Sequence, residues 1–297
     1  RCSGTECGTE HLALDSLLLP CGSSGPAAEW HRTPSENLPE FEEYDGNRRA
    51  PRAHGRIVRF TAALGAFANA RNADNQAMEA VFTRLEARAY DEHCMRRLGI
   101  PGLALMERAV DGCARIARAM LGARDCATVV CGTGQNGGDG YGVAAALAET
   151  GHPVDVVESR GGADAKGDAA TMRARAVAAG VRFHDIADRA RCATPGLVID
   201  GLFGTGLDRP LEGETLELVR WINACGAPVL AIDIPSGMHC DSGEPQPECV
   251  VASVTATMAA RKRGFDAPGA ALRTGRVEVV PIGGPDPAVF LASLRDR

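Results

Sequence analysis

Seven short apolar runs, at residues 127–131, 153–158, 181–185, 196–200, 228–233, 252–257 and 276–281, follow one another with Ala-rich helical segments between most of them. Runs so brief and continuous suit strands buried on both faces, and a helix between successive strands brings each back parallel to the last. The pattern predicts an α/β domain whose mainly parallel sheet is covered on both sides. Ligands of such sheets bind beyond the carboxyl ends of the strands, so the residues just after each run are the first to inspect. Upstream, Val81, Leu85, Ala89, Met95 and Leu98 recur at near-helical spacing. They predict a helix from Glu79 that Gly99-Ile100-Pro101-Gly102 stops, and a second helix over Leu103–Leu121.

Residues 1–77 break this rhythm. Ser, Gly, Pro, Glu and Arg dominate there, and the segment is expected to be disordered or extraneous to the folded unit. The domain is placed at 78–285, with a tail at 286–297, and a chain beginning at Met78, the first methionine, is expected to keep its fold. Of the 297 residues 45% are hydrophobic, enough for one substantial core. The net charge of -6 argues against nucleic acid as a partner. Eleven cysteines show neither a C-x-x-C pair nor the Cys/His spacing of a zinc site, so a reducing compartment is expected. No apolar run approaches a membrane span, and Leu12–Leu19 is broken by Asp15, which the apolar core of a signal sequence would avoid. These features predict a cytoplasmic protein.

Three glycine-rich segments follow predicted strands. The first, Cys131-Gly132-Thr133-Gly134-Gln135-Asn136-Gly137-Gly138-Asp139-Gly140, opens a helix, where glycines let a ligand approach the backbone and free amides favour an anion. Gly132-x-Gly134-x-x-Gly137 matches the dinucleotide fingerprint, with Glu158 about twenty residues on as the ribose-binding acid. The continuation Gly138-Asp139-Gly140 loads polar and flexible residues into a helix opening that the fingerprint packs tightly, which argues against a dehydrogenase. The other segments are Asp200-Gly201-Leu202-Phe203-Gly204-Thr205-Gly206-Leu207-Asp208-Arg209-Pro210 and Asp233-Ile234-Pro235-Ser236-Gly237, each led by a strand-terminal carboxylate. Asn136, Asp200 and Ser236 offer only oxygen ligands, suited to a hard, weakly held cation; the alternative is that they only bond the loops to one another. Lys262, within Ala260-Arg261-Lys262-Arg263-Gly264-Phe265, reads as a phosphate contact or as part of a solvated turn. His93, His152, His184 and His239 have no recurrent spacing and are read as incidental.

Taken together, Gly134–Gly140, Asp200–Gly206 and Asp233–Gly237 resemble the NAD(P)H-hydrate epimerase family, the YjeF N-terminal domain. Gly99-Ile100-Pro101-Gly102 with Leu105-Met106-Glu107-Arg108-Ala109 resembles its N-terminal helical signature. Thr255 with Lys262 and Gly264 resembles its late strand and turn, and Ile282-Gly283-Gly284-Pro285 its closing segment. The resemblance implies a Rossmann-like three-layer αβα sandwich with a mainly parallel central sheet, usually dimeric, that interconverts the R and S epimers of hydrated NADH and NADPH (NADHX and NADPHX). It implies substrate contacts from Gln135, Asn136, Gly137, Gly138 and Asp139, from Gly204, Thr205, Gly206, Leu207, Asp208, Arg209 and Pro210, and from the carboxylate of Asp233. It also implies one potassium ion per subunit on Asn136, Asp200 and Ser236. Gln135 departs from the family, which usually has an asparagine there, one methylene shorter. A separate NAD(P)H-hydrate dehydratase is expected to act in the same pathway.

The hydrated carbon of that substrate bears a hydroxyl beside the ring nitrogen. Such a hemiaminal ionises readily, so assisted loss of hydroxide and return of water to the opposite face invert it without a redox cofactor. Asp233 is the candidate proton-handling group. A ligand-binding or scaffold module without turnover is the rival reading, since fold alone does not fix activity; Asn136, Asp139, Asp200, Asp233 and Ser236 together around one crevice favour the enzyme.

Overall fold

The computed structural model describes residues 80–123, 125–160 and 162–295; the segment 1–77 and Met78 lie outside the described residues. The described chain opens with a two-residue strand, β1 (Val81–Phe82), after which Thr83 caps helix α1 (Arg84–Arg96). The Thr83 hydroxyl accepts from the Glu86 amide at 3.2 Å, and the Glu86 carboxylate accepts from the Thr83 amide at 2.8 Å. This reciprocal box satisfies amides that a helix start leaves bare, a contribution of about 1 kcal/mol. The helix therefore begins at Arg84 and not at Glu79. It buries Ala87, Tyr90 and Cys94, whereas Leu85, expected on the inner face, is 77% exposed. The correction has a tertiary cause: Val81 and Phe82 pair in parallel with β8 (Arg261–Lys262), which removes the first of the spaced apolar residues from any helix. Helix α2 (Gly102–Met120) follows close to its expected span.

All seven expected strands are present: β2 (Ala127–Cys131), β3 (Val154–Glu158), β4 (Arg182–Asp185), β5 (Leu197–Gly201), β6 (Val229–Ile232), β7 (Val254–Met258) and β9 (Arg276–Val280). They form one all-parallel sheet in the order β4-β3-β2-β5-β6-β7-β9. β2, β3 and β5 are buried along their whole length, while β4 and β9, at the edges, are partly exposed. Between them run α3 (Gln135–Glu149), α4 (Gly167–Ala178) and α5 (Gly213–Ala224). The two-residue period of a strand sends Val129 and Ile199 into one cluster, with Met106, Val110, Leu147 and Met172 from α2, α3 and α4. It sends Val130 and Val198 into the opposite cluster, with Leu218, Val219 and Ile222 of α5. These are the three layers of an αβα sandwich, and each such side chain contributes about 1.5–3 kcal/mol by leaving water.

The chain ends in a short helix, α6 (Ala271–Thr274), the edge strand β9 and a last helix, α7 (Pro287–Arg295). The stretch expected as a tail thus contains α7, whose Phe290 packs 6.1 Å from the ring of Phe82 and 5.2 Å from that of Tyr90. The strand order fixes where a ligand can enter. From β2 the chain winds outward through β3 and β4, then returns to the other side of β2 as β5. The connections after β2 and β5 diverge and leave a crevice at their carboxyl ends, the usual ligand position in open α/β sheets.

Candidate active site

The first glycine segment lies in that crevice. β2 ends at Cys131, Gly134 is the N-cap of α3, and Asn136 sits buried in the first turn with its Nδ2 lacking a hydrogen-bond partner. The turn is tight because Gly137 packs on the Gly132 carbonyl, where any side-chain carbon would overlap. Asp139 follows along α3 and faces the pocket. Burial, reinforced by the charges of Asp233 and Asp91, pushes its carboxyl well above the ordinary carboxylate range.

Asp200 and Ser236 lie behind the pocket wall. Asp200 is fully buried in β5; its Oδ1 accepts from the Ser236 hydroxyl at 2.6 Å and the Leu202 amide at 3.2 Å, and its Oδ2 from the Ser236 amide at 2.8 Å. Burial raises its pKa to about 6, against the lowering effect of these bonds. Among the described residues no cation pairs with it. The Ser236 Oγ also accepts from the Phe203 amide at 2.9 Å and donates toward the Phe203 carbonyl at 3.1 Å, so the carboxylate is held by one hydroxyl and two amides, and one further oxygen lies on the far side of that hydroxyl.

Asp233 follows β6 with φ at 66°, a left-handed conformation rare outside glycine. The Ile234 amide donates to the Ile232 carbonyl at 2.9 Å, which makes Asp233 the centre of a γ-turn of the strained kind. Such a conformation costs on the order of 1–3 kcal/mol and persists only where its surroundings over-determine it. They do so here. Asp233 Oδ1 forms an ion pair with Lys262 Nζ at 3.0 Å, Oδ2 accepts from the Thr205 amide at 3.0 Å, and the Asp233 amide donates to Ala256 at 2.7 Å. Gly204 admits this approach: a Cβ there would stand 2.7 Å from Asp233 Oδ2 and 3.1 Å from Asn136 Oδ1.

A pocket of about 620 Å³ joins Asn136, Asp139 and Asp233, within the usual range for small-ligand sites. Of the expected contact residues, Gln135, Asn136, Asp139, Gly204, Thr205, Gly206, Leu207, Asp208 and Asp233 line it. Gly137 and Gly138 are buried off its wall, and Arg209 and Pro210 line a neighbouring recess that shares Phe203 and Leu207 with it. Three wall residues were not anticipated in this role. Arg84 of α1 donates from Nε to the Thr205 carbonyl at 3.0 Å and from Nη2 to that of Gly206 at 3.3 Å. Asp91 has its pKa raised to about 6 by burial and by Asp233, with Lys262 opposing. Lys262 is not part of a solvated turn: it is 1% exposed, lines the pocket and pairs with Asp233. Its status as one of two lysines was the available signal; nothing local marked Arg84.

Two other readings are resolved by geometry. Glu158 accepts from Tyr141 at 2.8 Å and from the Arg173 guanidinium at 2.7 and 3.0 Å, so the acid of the dehydrogenase reading is already engaged within the fold. His184 lies with Asp155 and Cys192 in a cluster whose ligand atoms are within 4.8 Å of one another, a grouping invisible in the sequence spacing. Asp155 is already held there by the Arg182 fork at 2.8 and 2.9 Å and by the Ala193 amide at 3.2 Å.

A family model described as YjeF-related protein N-terminus matches residues 102–264, more than half of the chain. The chain belongs to the YjeF-related N-terminal family. Among members of the family, an NAD(P)H-hydrate epimerase of Rhodopirellula baltica is 37% identical over 67% of this chain and 82% of its own length. One of Limosilactobacillus fermentum is 33% identical over 68% and 96%. The bifunctional NAD(P)H-hydrate repair enzyme of Salinibacter ruber is 37% identical over 69% of this chain, which matches 41% of that longer protein. The crystal structure of yeast ynu0 shares the fold, with a TM-score of 0.58 at 18% identity over 67% of this chain and 86% of that one. The match to the YjeF-related model covers all three strand-end segments.

Proposed function

We propose that this chain epimerises hydrated NADH and NADPH, interconverting their R and S forms. The observation that carries the reading is the presence in one pocket of two differently held carboxyls: Asp139, whose burial favours the protonated form, and Asp233, paired with a lysine. Environments that differ in this way separate acid from base. Asp139 donates a proton to the departing hydroxyl, the carbon–oxygen bond breaks, and water leaves while the ring nitrogen shares its lone pair with the carbon. A second water then adds from the other face and gives its proton to Asp233. Exchange with solvent restores both groups, and no electrons are gained or lost. Relatives named as epimerases support the reading, as does the seating of the pocket at the switch point.

The same reading places one potassium ion per subunit at Asn136, Asp200 and Ser236. The donor set fits, because a buried carboxylate without a cationic partner and the neutral oxygens beside it suit a hard, weakly bound ion. When bound, the ion would neutralise Asp200 and steady the turn that follows β5. The bifunctional relative supports a dehydratase as the partner activity. The deciding experiment supplies the R epimer and follows formation of S by chromatography against the spontaneous background. A rate above background is expected; a rate equal to that of buffer would leave a binding role alone.

A further inference from the structure

Lys262 is the most fully enclosed cation near the pocket. Its ammonium donates to Thr257 Oγ1 at 2.8 Å, the Met258 carbonyl at 2.9 Å and the Ala260 carbonyl at 3.0 Å, and it pairs with Asp233 Oδ1 at 3.0 Å. A buried ammonium is costly unless its protons are all satisfied and a counter-charge is near. Both conditions hold here. The three neutral acceptors belong to β7 and the turn after it, so they fix the ammonium relative to the sheet. What the ammonium fixes in turn is Asp233.

The turn after β7 repeats the geometry found after β6. Ala259 has φ at 61°, and the Ala260 amide donates to the Met258 carbonyl at 2.7 Å, so a second γ-turn stands beside the first on the adjacent strand. Lys262 bonds the carbonyls on both sides of Ala259 and the carboxylate at the centre of the other turn. One side chain thus ties two strained turns together. Its backbone pairs with Phe82 of β1, just before α1. Asp233 is left with one oxygen held by Lys262 and the other by the Thr205 amide, an arrangement that leaves its carboxylate little freedom to rotate.

We infer that Lys262 is the positioning residue of this site: it holds the Asp233 carboxylate at the orientation in which it meets the substrate, and acts on turnover only through Asp233. The inference rests on the epimerase reading above. A carboxylate misplaced by about 1 Å can lose on the order of a hundredfold in rate.

The test compares wild type, Lys262→Met, Asp233→Asn and the double variant in the R-to-S assay, with substrate affinity measured separately by calorimetry. Asp233→Asn is expected to lower turnover by roughly a hundred- to ten-thousand-fold. Lys262→Met is expected to lower kcat by about ten- to a hundredfold with little change in KM, and the double variant to be no slower than Asp233→Asn alone. Methylammonium should restore part of the activity of Lys262→Ala at fixed ionic strength and fixed potassium. Unchanged kcat in Lys262→Met, or losses that multiply in the double variant, would overturn the inference. Should Lys262→Met fail to fold, Thr257→Val removes one anchor of the ammonium without touching Asp233; a kcat equal to wild type would then be the contrary result. If the wild type itself does not epimerise, the functional reading has failed. The Lys262–Asp233 coupling is then read from urea unfolding of the same four proteins, and its absence would sink the positioning role independently.

Discussion

At the scale of single residues, the two strand-end carboxylates Asp200 and Asp233 were legible because an apolar run that stops at a carboxylate and a glycine turn marks either a functional group or a cap, and Ser236 follows within the second of those turns. Lys262 was not, since a basic triplet reads as solvated until β8 is seen to pair with β1 and draw its middle member inward. Asn136 was legible as a residue of the loop, but its orphaned Nδ2 became visible only once α3 had carried the side chain below the surface. That side chain carries a prediction. In thermal unfolding, potassium should raise the midpoint of the wild type more than lithium at equal ionic strength. Asn136→Ala should abolish the difference, because it removes one of the three side-chain oxygen sources assigned to the ion. An unchanged ion preference in the variant would remove Asn136 from the ligand set.

The elements repeat this division between local and distant information. Seven strands were readable from continuous apolar runs because burial on both faces leaves a one-dimensional trace. The start of α1 was misplaced because near-helical spacing ran through Val81, whose partner strand lies far along the chain. The local signal that would have corrected it, threonine followed three residues later by glutamate, was present at Thr83 and Glu86. The contribution of α1 to the pocket was beyond any such signal, for Arg84 meets a turn 121 residues away. Its guanidinium fastens the Thr205 and Gly206 carbonyls, while its 3.4 Å pair with the largely exposed Asp208 adds little. Arg84→Gln should therefore raise KM by roughly tenfold, in line with the loss of a charge-assisted hydrogen bond, with kcat and the thermal midpoint nearly unchanged. Steady-state kinetics beside a melting curve checks this, and a fall in kcat at constant KM would contradict it.

Across the whole molecule, charge buried in the sheet sets the response to acid. Burial alone would raise the pKa of Asp155, but hydrogen bonds from Arg182, His184 and the Ala193 amide, together with the Arg182 charge, outweigh it and hold the carboxyl below its ordinary value. A carboxyl depressed by folding contributes stability that is present above its unfolded pKa, near 3.9, and is lost as pH falls through the folded value. Asp155→Asn should accordingly be less stable than the wild type at neutral pH, and the gap in urea midpoint should close as pH falls below about 4. A gap that stays constant with pH would mean that shape, and not charge, matters at this position. The parallel order of the sheet was foreseeable and this network was not, because Asp155, Arg182, His184 and Cys192 meet only after β3 and β4 have paired. The same winding has a consequence for how such a chain can diversify. Since the chain leaves the crevice at β2 and comes back at β5, the excursion through β3, α4 and β4 is a side branch: length gained at its outer turn, near Gly180, widens one edge while the two strands that frame the crevice keep their spacing.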